Sequence, residues 1–156
     1  NKWAASVGVE TKQKLGDFSL TWNFEYTRIE PWVYSHHKGS GYNYTSYGEG
    51  LGSDLGPNAS EIYSSLLLEW KILALKLHAS SVAKDSAFGS SFFDIHMPDS
   101  PIDKEFLNDL TTKKYLELGF ELSVFPTSFL WARMAAMLYR EDYEGYRLEG
   151  SAGLSW

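Results

Sequence analysis

Residues that could bind a sugar are concentrated in one segment of the chain, from Trp32 to Asn58. Aromatic rings offer flat apolar faces to sugar C–H groups, and imidazole and amide groups supply hydrogen-bond donors and acceptors. The segment therefore predicts contact with a glycan, although the same rings could instead pack it against the rest of the protein. The predicted glycan-binding residues are Trp32, Tyr34, His36, His37, Tyr44 and Tyr47, with Tyr42, Asn43 and Asn58 beside them.

The candidate catalytic and metal-binding residues of the sequence are not spaced as such sites require. His36 and His37 are adjacent, and neighbouring side chains of an extended segment point to opposite sides, so they rarely share one ion. Glu117 and Glu121 would lie about 13 Å apart along a strand, which is too far for the paired carboxylates of a glycosidase. The chain has no cysteine, which removes thiolate chemistry and cysteine-based metal sites. We therefore predict no enzyme, no metal site and no cofactor.

The net charge of the chain limits the classes of molecule that it could bind. A formal net charge of -6 argues against nucleic acid, because phosphate binding needs a basic surface. A group of acidic residues in the second half could hold calcium, but it more often forms a solvated surface, which we predict here. These residues are Asp94, Asp99, Asp103, Glu105 and Asp109.

The elements that position these residues have a period of two, which predicts strands. In the clearest case apolar Phe18, Leu20, Trp22, Phe24 and Tyr26 alternate with polar residues. We expect tight turns at Leu15–Asp17, at Lys71–Ile72 and at Pro126–Ser128. Between them lie long loops, at about 31–60 and 84–112, and one or two helical turns are expected at 102–110 with Phe106 and Leu110 packed inward. The same alternation gives about seven strands, at about 3–10, 18–27, 61–70, 73–80, 115–124, 130–139 and 146–156.

The strand pattern predicts a membrane protein. The strands approach the 9–11 residues that a tilted transmembrane strand needs, and short and long connections alternate as periplasmic turns and extracellular loops do. Aromatic residues make up 16% of the chain, which suits a protein that anchors rings at a lipid–water boundary. We therefore predict an all-β, antiparallel up-and-down transmembrane β-barrel in the bacterial outer membrane, in contact with its lipids.

The two ends predict that the chain is the C-terminal part of a larger barrel. Seven strands cannot close a bacterial barrel, which has an even number, so we expect preceding strands or one undetected strand. Residues 1–156 would then belong to a single barrel domain. The last strand resembles the C-terminal signal that the barrel-assembly machinery reads, with Gly150, Leu154 and Trp156 at its glycine, hydrophobic and aromatic positions. A chance aromatic residue at that position is the alternative.

The first long loop carries a resemblance to a known family. The chain is similar to the capsule assembly Wzi family, in which an E-Y-T-R-hydrophobic strand end precedes a loop of the form N-Y-T-H-Y/F-G-x-x-L-G-x-x-L-G-P-N. Ser46 stands where the family usually has histidine, and Ser53–Asp54 where it often has His-Pro. The matching runs are Glu25–Trp32, Tyr34–His37, Asn43–Gly48 and Leu51–Ala59.

The resemblance implies a large outer-membrane barrel that takes part in the assembly or attachment of capsular or other surface polysaccharide. Its outward loops would bind the glycan. An outer-membrane porin or passive channel is the alternative function. A soluble β-sandwich is a third possibility, and it would have shorter strands without the alternation of long and short connections.

Overall fold

The computed structural model shows an all-β fold whose strands form an antiparallel sheet, and the described residues contain no helix. This confirms the predicted fold class at the level of an antiparallel all-β chain. No helix in the described part of the chain is long and apolar enough to cross a membrane. The structure describes residues 2–35, 45–46, 49–50, 52–87, 89–94, 105–127, 130–140 and 144–154.

Seven long strands and two short ones make up the described fold. The long strands have 11 to 16 residues, about twice the usual length of a strand in a soluble protein. Two-residue strands β3 and β4 form a small ladder within the first long loop. The bounds are β1 Ala4–Leu15, β2 Phe18–Ile29, β3 Thr45–Ser46, β4 Glu49–Gly50, β5 Ala59–Trp70, β6 Leu73–Asp85, β7 Thr112–Thr127, β8 Leu130–Arg140 and β9 Glu144–Leu154.

The seven long strands pair in the order β1-β2-β5-β6-β7-β8-β9. Each long strand therefore lies beside the next long strand in the chain, which is the up-and-down order that the sequence predicts. The register places Leu116 opposite Arg140 between β7 and β8, and Leu130 opposite Leu154 between β8 and β9. Among the described residues β1 and β9 are the sheet edges and the sheet is not closed. Closure into a barrel therefore stays a prediction.

The turns agree with the sequence at two of three positions. Gly16–Asp17 joins β1 to β2 and Lys71–Ile72 joins β5 to β6, with Gly16 and Lys71 at positive φ. The prediction that Pro126 and Thr127 belong to the turn is wrong, because β7 continues through Pro126 to Thr127, and Ser128 lies outside the described residues. The pairing with β8 shifts register between Val124 and Thr127, and such an irregularity tolerates a proline that has no N–H to donate.

The expected helical turns at 102–110 are also wrong over the described residues 105–110. These residues form consecutive turns, with Leu107 at a φ of 52°. Asn108 directs the local hydrogen bonds: its side-chain oxygen accepts from the N–H of Leu110, and its carbonyl accepts from the N–H groups of Thr111 and Thr112. The Leu110 side chain is 94% exposed instead of packed inward.

The chain divides into two compact units. Unit 1 consists of Asn1–Val7, Tyr26–Glu61 and Val82–Lys114, which include the described parts of both long loops and the strand segments next to them. Unit 2 consists of Gly8–Glu25, Ile62–Ser81 and Tyr115–Trp156, which include the two described turns.

Buried and exposed apolar side chains are distributed differently between the two units. The described buried hydrophobic residues are Ile29, Trp32 and Ala59, all in unit 1. In unit 2 large apolar side chains are exposed along the strands. In β5 the exposed positions are Ile62, Leu66 and Trp70, which are four residues apart and so lie on one side of the strand, because every second residue of a strand faces the same side. The exposed large hydrophobic residues of unit 2 are Val9, Leu15, Phe18, Trp22, Ile62, Leu66, Trp70, Ile72, Leu77, Leu116, Leu118, Phe125, Met134 and Leu138.

The neighbouring positions of unit 2 form polar contacts. His78 Nε2 lies 3.3 Å from Glu117 Oε1, and Lys12 Nζ lies 3.9 Å from Glu69 Oε2. In the sequence these positions alternate with the apolar ones. These ion pairs therefore lie on the side of their strands opposite the exposed apolar side chains that alternate with them.

Candidate functional site: the loop body

The predicted glycan-binding segment folds together with the second long loop. We call this assembly the loop body, and it lies within unit 1. Its described segments are joined by backbone hydrogen bonds, by side chains that cap backbone groups and by stacked rings. The loop body consists of residues 30–35, 52–58, 84–87, 89–94 and 105–111.

Trp32 is a packing residue of the loop body. Its backbone has a φ of 63°, and its N–H donates to the carbonyl of Gly89 over 3.0 Å. The indole ring lies so close to Gly89 that a Cβ there would sit 2.6 Å from Trp32 Cδ2. The side chain is 8% exposed, so its ring faces are covered by protein in this conformation. The contact of Trp32 with glycan stays a prediction, and it would require the loop body to open.

Tyr34 packs against the same group of segments. Its ring stacks on Phe92 with centroids 4.9 Å apart and planes inclined by 18°. The Tyr34 ring also lies close to Gly52, where a Cβ would be 2.5 Å from Tyr34 Cζ. The hydroxyl of Tyr34 accepts a hydrogen bond from the N–H of Ser53 over 3.3 Å. Tyr34 remains partly exposed, so its role as a glycan contact stays a prediction.

Asn58 connects three segments of the loop body. It is 1% exposed and has a φ of 54°, a conformation that asparagine adopts more readily than most residues. Its N–H donates to the carbonyl of Glu30, and its carbonyl accepts from the N–H of Asp85. Its side-chain oxygen accepts from the N–H of Leu107, and its amide nitrogen donates to the carbonyl of Glu105. The sequence suggested that Asn58 lies beside a ligand, but the structure gives it a connecting role.

Asp85 fixes the start and end of the second long loop. It is 2% exposed, and its Oδ1 accepts from the N–H of Ala87 over 2.6 Å. Its Oδ2 accepts from the N–H of Asn108 over 3.0 Å. The hydroxyl of Thr111 donates to both carboxylate oxygens, at 3.1 and 3.0 Å. A buried carboxylate is tolerated here because protein donors replace its hydration.

Arg28 joins the E-Y-T-R strand end to the segment before β1 and to the second loop. Its Nη2 lies 2.6 Å from Glu30 Oε1, and its Nε donates to the same oxygen. The guanidinium carbon lies 3.8 Å from the ring centroid of Phe106 and 5.3 Å from that of Trp3. Arg28 therefore combines an ion pair with packing against two rings, which the planar guanidinium permits.

Lys84 closes the loop body beside Gly56. Its Nζ donates to the carbonyl of Leu55 and, over 3.4 Å, to that of Pro57. Burial lowers the pKa of Lys84 below its ordinary value, because desolvation disfavours the charged amine. A Cβ at Gly56 would lie 2.8 Å from the lysine nitrogen, and Gly56 has a φ of +67°. Glycine is therefore favoured here mainly by its backbone conformation, because the lysine nitrogen is the end of a flexible side chain that could shift.

The structure brings together only part of the predicted site. Trp32 and Tyr34 both lie in the loop body, whereas His36, His37, Tyr44 and Tyr47 lie outside the described residues. Gly150 and Leu154 lie in β9, opposite Met134 and Leu130 of β8. Trp156 also lies outside the described residues. The part of the chain that the structure describes contains no group of three or more histidine, aspartate or glutamate residues arranged to hold a metal ion.

Sequence reasoning missed the residues that hold the loop body together. Arg28 and Asn58 belong to the runs that resemble the Wzi family, and the structure explains them as packing and hydrogen-bonding residues. In the sequence, the role of Asp85 was indicated only weakly, by a single carboxylate at the end of a strand. The sequence around Gly89 did not indicate its role, because Trp32, whose ring covers it, lies far away in the chain.

Internal contacts engage many of the polar groups of the loop body. Backbone carbonyls and buried carboxylates of the loop body are occupied by internal hydrogen bonds, and Phe93 is an exposed aromatic ring on its surface. Comparison with protein-family models, with curated proteins and with solved structures gave no match. The resemblance to the Wzi family therefore depends on the quoted loop residues alone and stays a prediction.

Proposed function

We propose that this chain is part of a bacterial outer-membrane β-barrel that takes part in the assembly or attachment of capsular or other surface polysaccharide. The observation that carries the membrane assignment is the exposed apolar face of unit 2. Large side chains such as Leu66, Leu118 and Leu138 are exposed on strands of 11 to 16 residues. Exposure of so many apolar side chains is costly in water and favourable in lipid, at about 25 cal/mol per Å².

The spacing of the exposed residues fits a transmembrane strand. From Ile62 to Trp70 the apolar side chains extend over about 26 Å along β5. If β5 were tilted by about 40° from the membrane normal, this stretch would cross about 20 Å of membrane thickness. That is close to the apolar band of about 25 Å around outer-membrane barrels. A soluble β-sandwich would instead bury one sheet face against a second sheet.

The glycan assignment is supported by the loop body and by the resemblance of its residues to the Wzi family. Asn58 and Asp85 join the two long loops, so the segment that carries the predicted glycan-binding residues starts and ends on a fixed base. A preorganised base lowers the entropy lost when a ligand binds. Polysaccharide attachment would therefore depend both on contact residues and on the packing of this base.

Capsule retention tests the glycan role. We expect Tyr44→Ala to reduce retention of polysaccharide on cells that carry the full-length protein, because a predicted stacking ring is removed. Trp32→Ala is a poorer test, since the loss of a buried indole would also disturb the loop body. Phe93→Ala is the matched control, because Phe93 is an exposed ring outside the predicted set. Normal retention by Tyr44→Ala would contradict glycan contact at this position.

A passive channel is the second candidate function. It is favoured by the polar contacts of unit 2, His78 with Glu117 and Lys12 with Glu69, because such side chains line the interior of open barrels. Single-channel recording of the full-length protein in planar bilayers separates the two functions. A closed barrel together with impaired retention in the Tyr44 variant supports attachment. A steady open current with normal retention supports the channel.

A further inference from the structure

Trp3, directly before β1, is an exposed aromatic residue next to the loop body. It is 44% exposed, and its carbonyl accepts a hydrogen bond from the N–H of Glu30 over 3.1 Å. This bond joins the segment before β1 to the residue that follows β2. Trp3 therefore lies beside the two charged residues at the end of β2, Arg28 and Glu30.

The Arg28–Glu30 ion pair keeps hydrogen-bonding groups for a further partner. Arg28 Nε and Nη2 both donate to Glu30 Oε1, over 2.9 and 2.6 Å. A guanidinium has five N–H donors and a carboxylate has two acceptor oxygens. Three N–H groups of Arg28 and Oε2 of Glu30 therefore have no protein partner among the described residues. The Arg28 side chain is 35% exposed and that of Glu30 is 11% exposed, so part of the pair is open to solvent.

The second long loop helps to fix the guanidinium of Arg28. The guanidinium carbon lies 3.8 Å from the ring centroid of Phe106 and 5.3 Å from that of Trp3. Contact with two rings and with a carboxylate oxygen limits the orientations that the planar group can adopt. A donor group that is fixed before binding loses less entropy when a ligand binds.

The charged neighbours of Trp3 distinguish it from the apolar residues that follow it. The alternation of β1 places Trp3 on the same side as Val7 and Val9, which are exposed. In hydrocarbon, however, it is costly to leave N–H groups of an arginine and an oxygen of a carboxylate without partners. Water or a polar ligand must therefore satisfy these groups beside the Trp3 ring.

A sugar ring with two adjacent hydroxyls matches the chemistry of these residues. The apolar C–H face of a pyranose can pack on the indole of Trp3. One hydroxyl can accept from Arg28 while its neighbour donates to Glu30 Oε2. An acidic sugar matches less well, because the ion pair is neutral and a second carboxylate would lie beside that of Glu30. The formal net charge of -6 adds to this repulsion.

We propose that Trp3, Arg28 and Glu30 form a subsite that binds a neutral pyranose unit of the polysaccharide through two adjacent hydroxyls. We call these three residues the Trp3 subsite. None of them belongs to the glycan-binding set that the sequence predicts. This inference rests on the proposed glycan-binding function, and it adds the residues of a further contact and the chemical feature that they recognise.

Binding of chemically modified polysaccharide to the full-length protein in detergent micelles tests the subsite. The probe is capsular polysaccharide purified from the cells that carry the protein, and it is used in three forms. The first is untreated, the second is cleaved at its vicinal diols by periodate and then reduced, and the third has its carboxylates reduced to primary alcohols. Trp3→Ala and Arg28→Lys are the test variants. Trp22→Ala is the matched control, because Trp22 is 40% exposed and lies in unit 2.

We expect the unmodified protein to bind the untreated and the carboxyl-reduced polysaccharide with affinities within about threefold of each other, and the periodate-cleaved form about tenfold more weakly. Trp3→Ala should weaken binding of the untreated form by roughly tenfold, because a stacking ring is lost. Arg28→Lys should also weaken it, because lysine lacks the planar fork of donors. Trp22→Ala should bind normally. Limited proteolysis checks that the loop body of each variant stays folded.

Three results would contradict the account at different levels. Untreated polysaccharide that binds Trp3→Ala and Arg28→Lys as tightly as the unmodified protein would overturn the subsite. Binding that is lost on carboxyl reduction but kept after periodate cleavage would overturn the recognition of hydroxyls and indicate an acidic sugar. Untreated polysaccharide that does not bind the unmodified protein would contradict the proposed glycan role itself, whereas binding weakened only by Tyr44→Ala would contradict the Trp3 subsite alone.

Discussion

Removal of the Asp85 carboxylate should open the loop body. Three donors lose their acceptor in Asp85→Ala: the N–H groups of Ala87 and Asn108 and the hydroxyl of Thr111. Each donor left without a partner costs about 1–2 kcal/mol when water can partly replace the lost oxygen. The sum is about 3–6 kcal/mol of local stability. It is lost from the junction of β6 with the second loop, not from the strands of unit 2.

Asp85→Asn is the matched variant. The amide keeps one acceptor oxygen of similar shape, and its NH₂ group meets a backbone donor at the position of the other oxygen. The hydroxyl of Thr111 can reverse its role and accept from this NH₂ group. We therefore expect about half the loss of the alanine variant, or about 2 kcal/mol.

Amide hydrogen exchange measures both losses directly. Exchange by local opening speeds up tenfold for each 1.4 kcal/mol or so, so Asp85→Ala should accelerate exchange at Ala87 and Asn108 by roughly a hundredfold or more. Amides in the centre of β5 should be unchanged. Exchange at Ala87 and Asn108 within about threefold of the unmodified protein would refute the assignment of Asp85 as the residue that fixes this loop.

Three further perturbations test other contacts. Gly89→Ala should lower loop-body stability by about 2–4 kcal/mol in a limited-proteolysis assay, because Gly89 has a positive φ and its new Cβ would clash with the Trp32 indole. Gly16→Ala is the control: it has the same φ but open space around it, so it should lose only about 1 kcal/mol. Gly119→Ala should displace the His78 ring and destabilise the sheet by about 1–3 kcal/mol in urea unfolding. In a double-mutant cycle, adding His78→Ala should relieve most of that loss. Because the pKa of Lys84 is lowered in the folded protein, the unfolded loop binds more protons than the folded one, and loop-body stability should rise with pH between that lowered pKa and the ordinary lysine value. Lys84→Met should remove this rise, as measured by proteolysis at a series of pH values.

Strand positions were predictable because their signal is local. Alternation in Phe18–Tyr26 and in Leu116–Val124 specifies which side chains share a face, and each strand needs only its own sequence for that. Turns were predictable where glycine permits positive φ, as at Gly16. Pro126 was misread because its lack of an N–H also suits an irregular strand end, and only the pairing with β8 decides between the two.

The loop body was less predictable because its contacts join distant segments. Trp32 has the chemistry of a sugar contact, and nothing local indicates that Gly89 lies beneath its ring. Asn58 has the chemistry of a ligand-binding amide, yet its side chain serves Leu107 and Glu105. Residue type therefore indicated a segment that folds into the loop body, while the direction of each side chain depended on tertiary packing.

Cysteine accessibility along β5 tests the central claim, that the apolar face of this sheet lies against lipid. Ile62, Leu66 and Trp70 are the exposed positions of the strand, and Ser65 and Glu69 are less exposed. In the full-length protein in outer membranes, we predict that cysteines at 62, 66 and 70 resist a water-soluble maleimide while those at 65 and 69 react. The reverse order, with the three exposed positions reacting fastest, would show that water covers this face and would contradict the account.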